Sequence, residues 1–307
     1  MMDNSLHPFM TSLIDYAGLF PPSELPFDDA ISNYKSYSSS SDSWILNRFI
    51  CPISKLNNLL PHLSDFTSEK PLQLSILLTG AFQDDTYINK FNEELNTIKT
   101  FEDQYGDVCK IKSLEAKINA QNNNLNGILN ILSTSLELFD NSVEIFLEPA
   151  ITDFSLISNQ ISKSSIKNTQ LKLRCGGVVP EAFLSSKSIA SVLSNCKNTG
   201  IKLKFTAGLH HPLRHFNEEM GTKMHGFVNV FGAALLFYAN KIDDINLIEA
   251  LEDENPHNFE FKNSSFSWKN TTLAVEEVAV LRKEALLSYG SCSFNEPRDG
   301  LKNLGWM

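Results

Sequence analysis

Two short stretches concentrate side chains able to do chemistry. Residues 171–177 read LKLRCGG, and residues 201–215 read IKLKFTAGLHHPLRH. Strand alternation puts Lys172 and Arg174 on one face, and likewise Lys202, Lys204 and Thr206, with Leu171, Leu173, Leu203 and Phe205 on the opposite faces. Such a strand is ordinary if its polar face meets water. If both faces are covered, as in a parallel α/β sheet, the lysine must be paired or chemically used. A third stretch, VEIFLEP at 143–149, aligns Glu144, Phe146 and Glu148 and ends on a carboxylate followed by proline.

Two cationic strands facing one interior form a site for a carboxylate or phosphate. The same crowding of cations is expected to lower a lysine's pKa and make it an amine nucleophile. Lys204 is therefore the candidate catalytic lysine, as carbonyl ligand or Schiff-base nucleophile; a buried ion pair is the structural alternative. Lys172 and Arg174 are assigned to substrate binding. Glu148 is assigned as general acid or base, or as counter-ion to these cations. Asp15 and Arg48, near the ends of two earlier strands, complete the substrate-binding set, and Glu115 ends a fourth strand.

The loop after residue 208 adds His210, His211, Arg214 and His215. Adjacent histidines point apart on a regular backbone, so one of His210 and His211 is expected to enter the site as a proton carrier. Pro212 at a helix start would set His211 and His215 about one turn apart. Arg214 is a candidate clamp for an anionic group, with a solvated loop arginine as the alternative. No HExxH spacing occurs, so no cofactor is assigned; the alternative is a divalent metal held by Glu148, His210, His211 and His225. Cys175 and Cys292 sit in turn-like settings, RCGG and GSCSF, and read as small apolar fillers more than as nucleophiles. Phe227, Phe231 and Tyr238 read as core.

Elements that position these residues follow from periodicity. Strands are expected at 12–17, 44–50, 72–78, 108–115, 143–147, 171–175 and 201–207, with helices at 27–37, 56–63, 84–101, 125–139, 154–166 and 180–196 between them. Beyond them, residues 225–239 form an apolar helix and 243–254 another. The eighth strand is expected at 259–268 or 226–231. A final helix spans 272–287, and the tail carries a short helix with Asn295 as cap and Gly305 as stop. This alternation predicts an α/β fold, a (β/α)8 TIM-type barrel with a C-terminal tail packing on it, in one domain over 1–307. An open doubly wound sheet lacks support, because no GxGxxG follows the first strand and no GxxxxGK[ST] occurs. In such a barrel the site lies at the C-terminal ends of the strands.

The formal net charge of −10 argues against nucleic acid and against an anionic membrane as partners. No apolar run approaches the ~18 residues needed to span a bilayer, and the N-terminus lacks the basic start and apolar core of a secretion signal. Five cysteines without CxxC spacing read as reduced thiols, which predicts a cytoplasmic protein. The runs SSSSDS at 38–43 and NNN at 122–124 read as loop. Helix 225–239 and the apolar end Leu304-Gly305-Trp306-Met307 are the surfaces a homo-oligomer would use.

Four segments, IDYAGLFPP (14–22), TAGLHHPLR (206–214), MHGFVNVF (224–231) and GSCSFNEPR (290–298), resemble a family of bacterial proteins without assigned function, across almost the full chain. A second resemblance, limited to two strands, is to class I aldolases of the deoxyribose-phosphate aldolase type. Those barrels carry one lysine in a KTSTGF-like sixth strand and another in a KASGG-like seventh, where LKLRCGG and LKFTAGL stand here. The resemblance implies amine–carbonyl chemistry at Lys172 or Lys204. Arg174-Cys175 departs from the small hydroxyl residues of that pattern, and His210-His211-Pro212 from its phosphate-binding continuation. The expected function is an enzyme, lyase- or aldolase-like, acting on a small anionic carbonyl compound. The alternatives are a metal-dependent hydrolase or isomerase, and a non-catalytic ligand-binding barrel.

Overall fold

The computed structural model describes all residues except 1–3, 83–84, 119–124, 140–141, 165 and 167. The expected loop at 122–124 and the first residue of the expected helix at 84 lie outside the described residues.

Seven strands arrive in order: β1 (Ile14–Tyr16), β2 (Leu46–Pro52), β3 (Leu72–Phe82), β4 (Cys109–Ile118), β5 (Glu144–Pro149), β6 (Thr169–Arg174) and β7 (Leu203–Thr206). An antiparallel hairpin follows, β8 (His215–Asn217) with β9 (Thr222–Met224), then a three-stranded antiparallel sheet of β10 (Phe259–Phe261), β11 (Ser265–Trp268) and β12 (Thr271–Ala274), and finally β13 (Leu286–Ser291). β1 to β7 and β13 close a parallel eight-stranded barrel, with β13 pairing β1 on one side and β7 on the other. The chain is thus a (β/α)8 TIM-type barrel.

Helices cover the barrel where the apolar spacing placed them, including Phe27–Ser38, Asp85–Tyr105, Leu125–Leu136 and Phe154–Lys163; the helix expected from Pro180 begins only at Ser186 and runs to Thr199, with Pro180–Ala182 a separate 3-10 turn. The segment expected as a helix at 56–63 is a 3-10 helix, Ile53–Asp65, with Pro61 inside it; proline removes an amide donor and disfavours the α ladder. Leu56, Leu59 and Leu63 still bury one stripe. Helix Ser186–Thr199 is capped by the Ser185 hydroxyl, which accepts from Ser188 N–H, and ends at Gly200 in the left-handed region.

The eighth strand corrects the sequence reading. Neither 259–268 nor 226–231 enters the barrel. The first is the β10–β11 hairpin of the outer sheet, and the second lies in helix Phe227–Tyr238. The helix expected at 272–287 spans only Val275–Glu284, after β12, and Leu286–Ser291 closes the barrel. The apolar spacing runs from Val278 and Leu281 into Leu286 with no glycine or proline to mark the change. What breaks the helix is tertiary: the β1 and β7 edges are vacant without β13.

Helix Phe227–Tyr238 is buried nearly all round, with Phe231 edge-on to Phe205 of β7 at 5.1 Å between centroids and Phe227 stacked on Tyr289 at 5.6 Å. Trp306 packs on Phe259 and Phe261. Helix Phe227–Tyr238, one of the two surfaces expected to serve an oligomer, is thus covered within the chain, whereas Leu304, Trp306 and Met307 remain partly exposed. The tail helix, Asn295–Asn303, packs against the loop after β7, with Gly300 against the Pro212 ring. Among the described residues no helix is long and apolar enough to cross a membrane.

Gly226 permits a close crossing at this end of the barrel. A Cβ there would meet the Pro212 carbonyl oxygen and the Leu213 backbone, while Phe227 and Val228 N–H donate to the carbonyls of His211 and Pro212 at 3.0 and 2.9 Å. Gly226→Ala is expected to destabilise the protein by about 1–3 kcal/mol through overpacking, read as a lower midpoint in urea unfolding with an unchanged slope.

Candidate active site

The barrel interior holds charges because its strands alternate. β6 and β7 pair Lys172 with Lys204 and Arg174 with Thr206, so both lysines enter the lumen side by side. Three carboxylates from other strands interleave with them. Lys204 Nζ lies 2.5 Å from Asp15 Oδ2 of β1 and 2.6 Å from Glu115 Oε1 of β4. Lys172 Nζ lies 2.8 Å from Glu115 Oε2 and 2.6 Å from Glu148 Oε2 of β5. Arg174 Nε donates to Glu148 Oε1 at 2.8 Å. The result is an unbroken chain, Arg174–Glu148–Lys172–Glu115–Lys204–Asp15, alternating in sign.

Hydrogen bonds complete it. Ser113 donates to the Ser75 hydroxyl at 2.7 Å, and Ser75 donates to Glu115 at 2.5 Å. Asp15 also accepts from Ser288 at 2.7 Å, from the Asn47 amide at 2.7 Å and from Arg48 N–H at 3.1 Å. Buried ions are costly unless paired and hydrogen-bonded, and these are.

The expectation that crowded cations lower a lysine's pKa is overturned for Lys172. Burial alone would lower it, but Glu115 and Glu148 outweigh burial and hold Lys172 above its ordinary value. Burial would raise both carboxyls, yet Lys172 and Lys204 hold Glu115 well below the carboxylate range, and Lys172 and Arg174 hold Glu148 below its ordinary value. Both lysines face carboxylates first and each other second.

The chain lies beneath a cavity of about 350 Å³ at the C-terminal mouth of the barrel. Lys172 and Glu115 line its floor, with Arg174 and Thr206 beside them. Phe20, Pro21, Pro22, Phe183, Met220 and Met224 give it an apolar wall, and His210, His211, Cys292 and Glu296 a polar one. Lys204, 0% exposed, does not line the cavity; Lys172, 3% exposed, does.

Three further placements differ from expectation. Arg48 is at the opposite end of the lumen, bound to Glu144 at 2.6 Å, with Phe146 between that pair and Lys204. It stands at the third residue of a seven-residue strand, too early to reach the mouth. Lys202 precedes β7 and reaches the Lys283 carbonyl at 3.2 Å, outside the charge chain. Arg214 braces the loop through Ser186, His225 and Glu254 and does not line the cavity.

His210 Nδ1 lies 3.2 Å from Glu296 Oε2 and 3.9 Å from Cys292 Sγ. His211 Nε2 lies 3.6 Å from Glu296 Oε1, and its ring meets that of His215 edge-on. Burial and the neighbouring His215 hold His211 below its ordinary value, outweighing Glu296, so the ring is neutral at pH 7. His225 is buried, bonded to the Leu184 carbonyl at 2.9 Å, and does not line the cavity. Among the described residues no group of three or more His, Cys, Asp or Glu side chains is placed to hold a metal ion, so the tetrad Glu148, His210, His211 and His225 does not converge.

Glu115, expected only as a strand end, belongs to the site: it bridges the two lysines. Its signal was present in the parity of β4, where Ser113 and Glu115 share the face that carries Lys172 on β6. Glu296 carried no such signal, because the tail reaches the mouth only through tertiary packing.

Depressed carboxylates contribute stability that is full above their unfolded value of 4.5 and is lost as pH falls below it. The raised Lys172 contributes stability that is full below 10.5 and is lost as pH rises through its folded value. The contribution of this charge row to unfolding free energy is therefore flat between these limits, and a pH series of urea titrations is expected to show stability falling at both extremes; any slope between them comes from other groups, the raised His210 among them. Lys204→Met strands Asp15 and leaves Glu115 with Lys172 alone, and is expected to cost about 3–5 kcal/mol, checked by the same titration at pH 7; a loss below about 1 kcal/mol would show that the charges relax without it. Comparison of the chain with protein-family models and with curated proteins gave no match.

Proposed function

We propose that the protein is an enzyme acting on a small carbonyl compound that bears a carboxylate or phosphate, with the Lys172 amine as the nucleophile. The observation that carries this reading is that Lys172 forms the cavity floor between two carboxylates, while Lys204 lies sealed beneath it. Lys204 is reassigned from nucleophile to counter-ion: it holds Glu115 and Asp15 in place and keeps the floor neutral overall.

The resting Lys172 is an ammonium, so the step begins with a proton transfer. Arg174 is half exposed at the cavity edge and shares Glu148 with Lys172. An anionic substrate group competes with Glu148 for the Arg174 guanidinium. Glu148, left with one cation in place of two, becomes basic enough to take the Lys172 proton across 2.6 Å. The free amine attacks the carbonyl carbon, and the carbonyl oxygen takes a proton. The carbinolamine then loses water to an iminium, which acts as an electron sink for breaking or making the adjacent C–C bond. His211, neutral and lining the cavity, is the second proton carrier. An aldolase or related lyase is the reaction class this supports.

Borohydride added to the folded protein with a panel of 2-oxo acids, aldehydes and phosphorylated aldehydes is expected to give an intact-mass adduct that maps to Lys172. Lys172→Met is expected to abolish it, and Arg174→Gln to weaken trapping of anionic carbonyls by roughly tenfold or more while sparing uncharged aldehydes. A folded protein that gives no adduct across the panel, or one only at surface lysines, would sink the proposal.

A further inference from the structure

The polar wall of the cavity holds a group that the lysine chemistry does not use. Cys292 follows the last barrel strand, and its sulfur lies 3.9 Å from His210 Nδ1, which in turn lies 3.2 Å from Glu296 Oε2. All three line the cavity. They come from two barrel connections, the loop after β7 and the turn after β13, and from the tail helix. We propose that Cys292 is a second reactive centre, a thiolate paired with the His210 imidazolium that forms a covalent bond with small carbon electrophiles entering the cavity.

The other four cysteines provide the contrast. All five cysteines are buried, but Cys51, Cys109, Cys175 and Cys196 do not line the cavity, and burial pushes their thiols up to about 12. At Cys292 burial acts in the same direction, but His210 and a hydrogen bond with Ser23 outweigh it and hold the thiol below its ordinary value. His210 is shifted the opposite way: burial would lower it, but Cys292 and Glu296 lift it to about 9. Opposite shifts on two touching groups are the signature of a thiolate–imidazolium pair. The remaining ionisable neighbours are the phenols of Tyr16 and Tyr289, which are pushed up and stay neutral, and His211 and His215 on the far side of Glu296. The Tyr289 hydroxyl is fully buried in the field of Glu296 and Cys292 and has no hydrogen-bond partner among the described residues.

The step balances without another reactant. The thiol proton resides on His210. The sulfur attacks the electrophilic carbon, a C–S bond forms, and the leaving group departs with its electron pair. Because Cys292 and Lys172 share one cavity, the adduct takes the space a substrate of Lys172 needs, so modification closes the site.

The test is iodoacetamide labelling of the folded full chain, followed by peptide mass mapping over a pH series. Cys292 is expected to alkylate at least roughly tenfold faster than the other four cysteines at pH 7, with a rate that stays level to lower pH than that of a free thiol. His210→Asn is expected to slow it roughly tenfold and shift its pH profile upward. Glu296→Gln, at a half-exposed position, is expected to act in the same direction more weakly and carries the same test if the histidine variant does not fold. Labelling of Cys292 no faster than that of the buried cysteines, or a pH profile that neither variant moves, would overturn the proposal. Neither result depends on Lys172 acting as a nucleophile.

Discussion

The structure depends on one constraint: cations brought into a barrel lumen must meet carboxylates there. β6 and β7 deliver Lys172 and Lys204 side by side, a repulsive arrangement by itself. Asp15, Glu115 and Glu148 turn it into an alternating row, and no member lacks an opposite charge within 2.8 Å. Small side chains make the row possible. Ser75, Ser113 and Ser288 leave the lumen wide enough for long ionic side chains; Ser75 and Ser288 donate to Glu115 and Asp15, and Ser113 donates to the Ser75 hydroxyl. Bulky aliphatics at those positions would fill the volume and leave the ions unsatisfied.

The row is sealed at one end and open at the other. Below it, Phe146 and the Arg48–Glu144 pair close the lumen. Arg282 holds the same end together, donating to the carbonyls of Phe9, Thr11, Leu286 and Leu287 and so tying the N-terminal segment to β13. Above it, the mouth loops leave a cavity charged at the floor, apolar along one wall and ionisable along the other. That asymmetry sets Arg174 and Lys172 at the floor against an apolar wall of Phe20, Phe183 and the methionines Met220 and Met224.

The tail is integral to this mouth. Glu296 is the shared carboxylate of His210 and His211, and Gly300 packs on Pro212 beside them. The histidine loop is thus held from the tail helix and, through Gly226, from helix Phe227–Tyr238. Two elements distant in sequence fix the orientation of the polar wall.

The sequence by itself determined the alternation of strand and helix, and with it the barrel, because burial on one stripe of a helix and both faces of a parallel strand leaves a period that can be read locally. It also determined that Lys172 and Arg174 share a face, that Lys204 joins them in the interior, and that Glu148 ends a strand at the mouth. Parity alone carries that information. Only the tertiary structure decided the rest. Which lysine meets the cavity depends on depth along the barrel axis, which strand register sets and local pattern does not. The pKa directions depend on carboxylates from β1, β4 and β5, far apart in sequence. Arg48 lies on a barrel strand as expected but at the wrong depth, third in a seven-residue strand. The closing strand, Leu286–Ser291, resembles its helical neighbours in composition and becomes a strand because two barrel edges need a partner. Glu296 and Cys292 meet His210 through the packing of the tail, a contact across 86 and 82 residues that no local rule encodes.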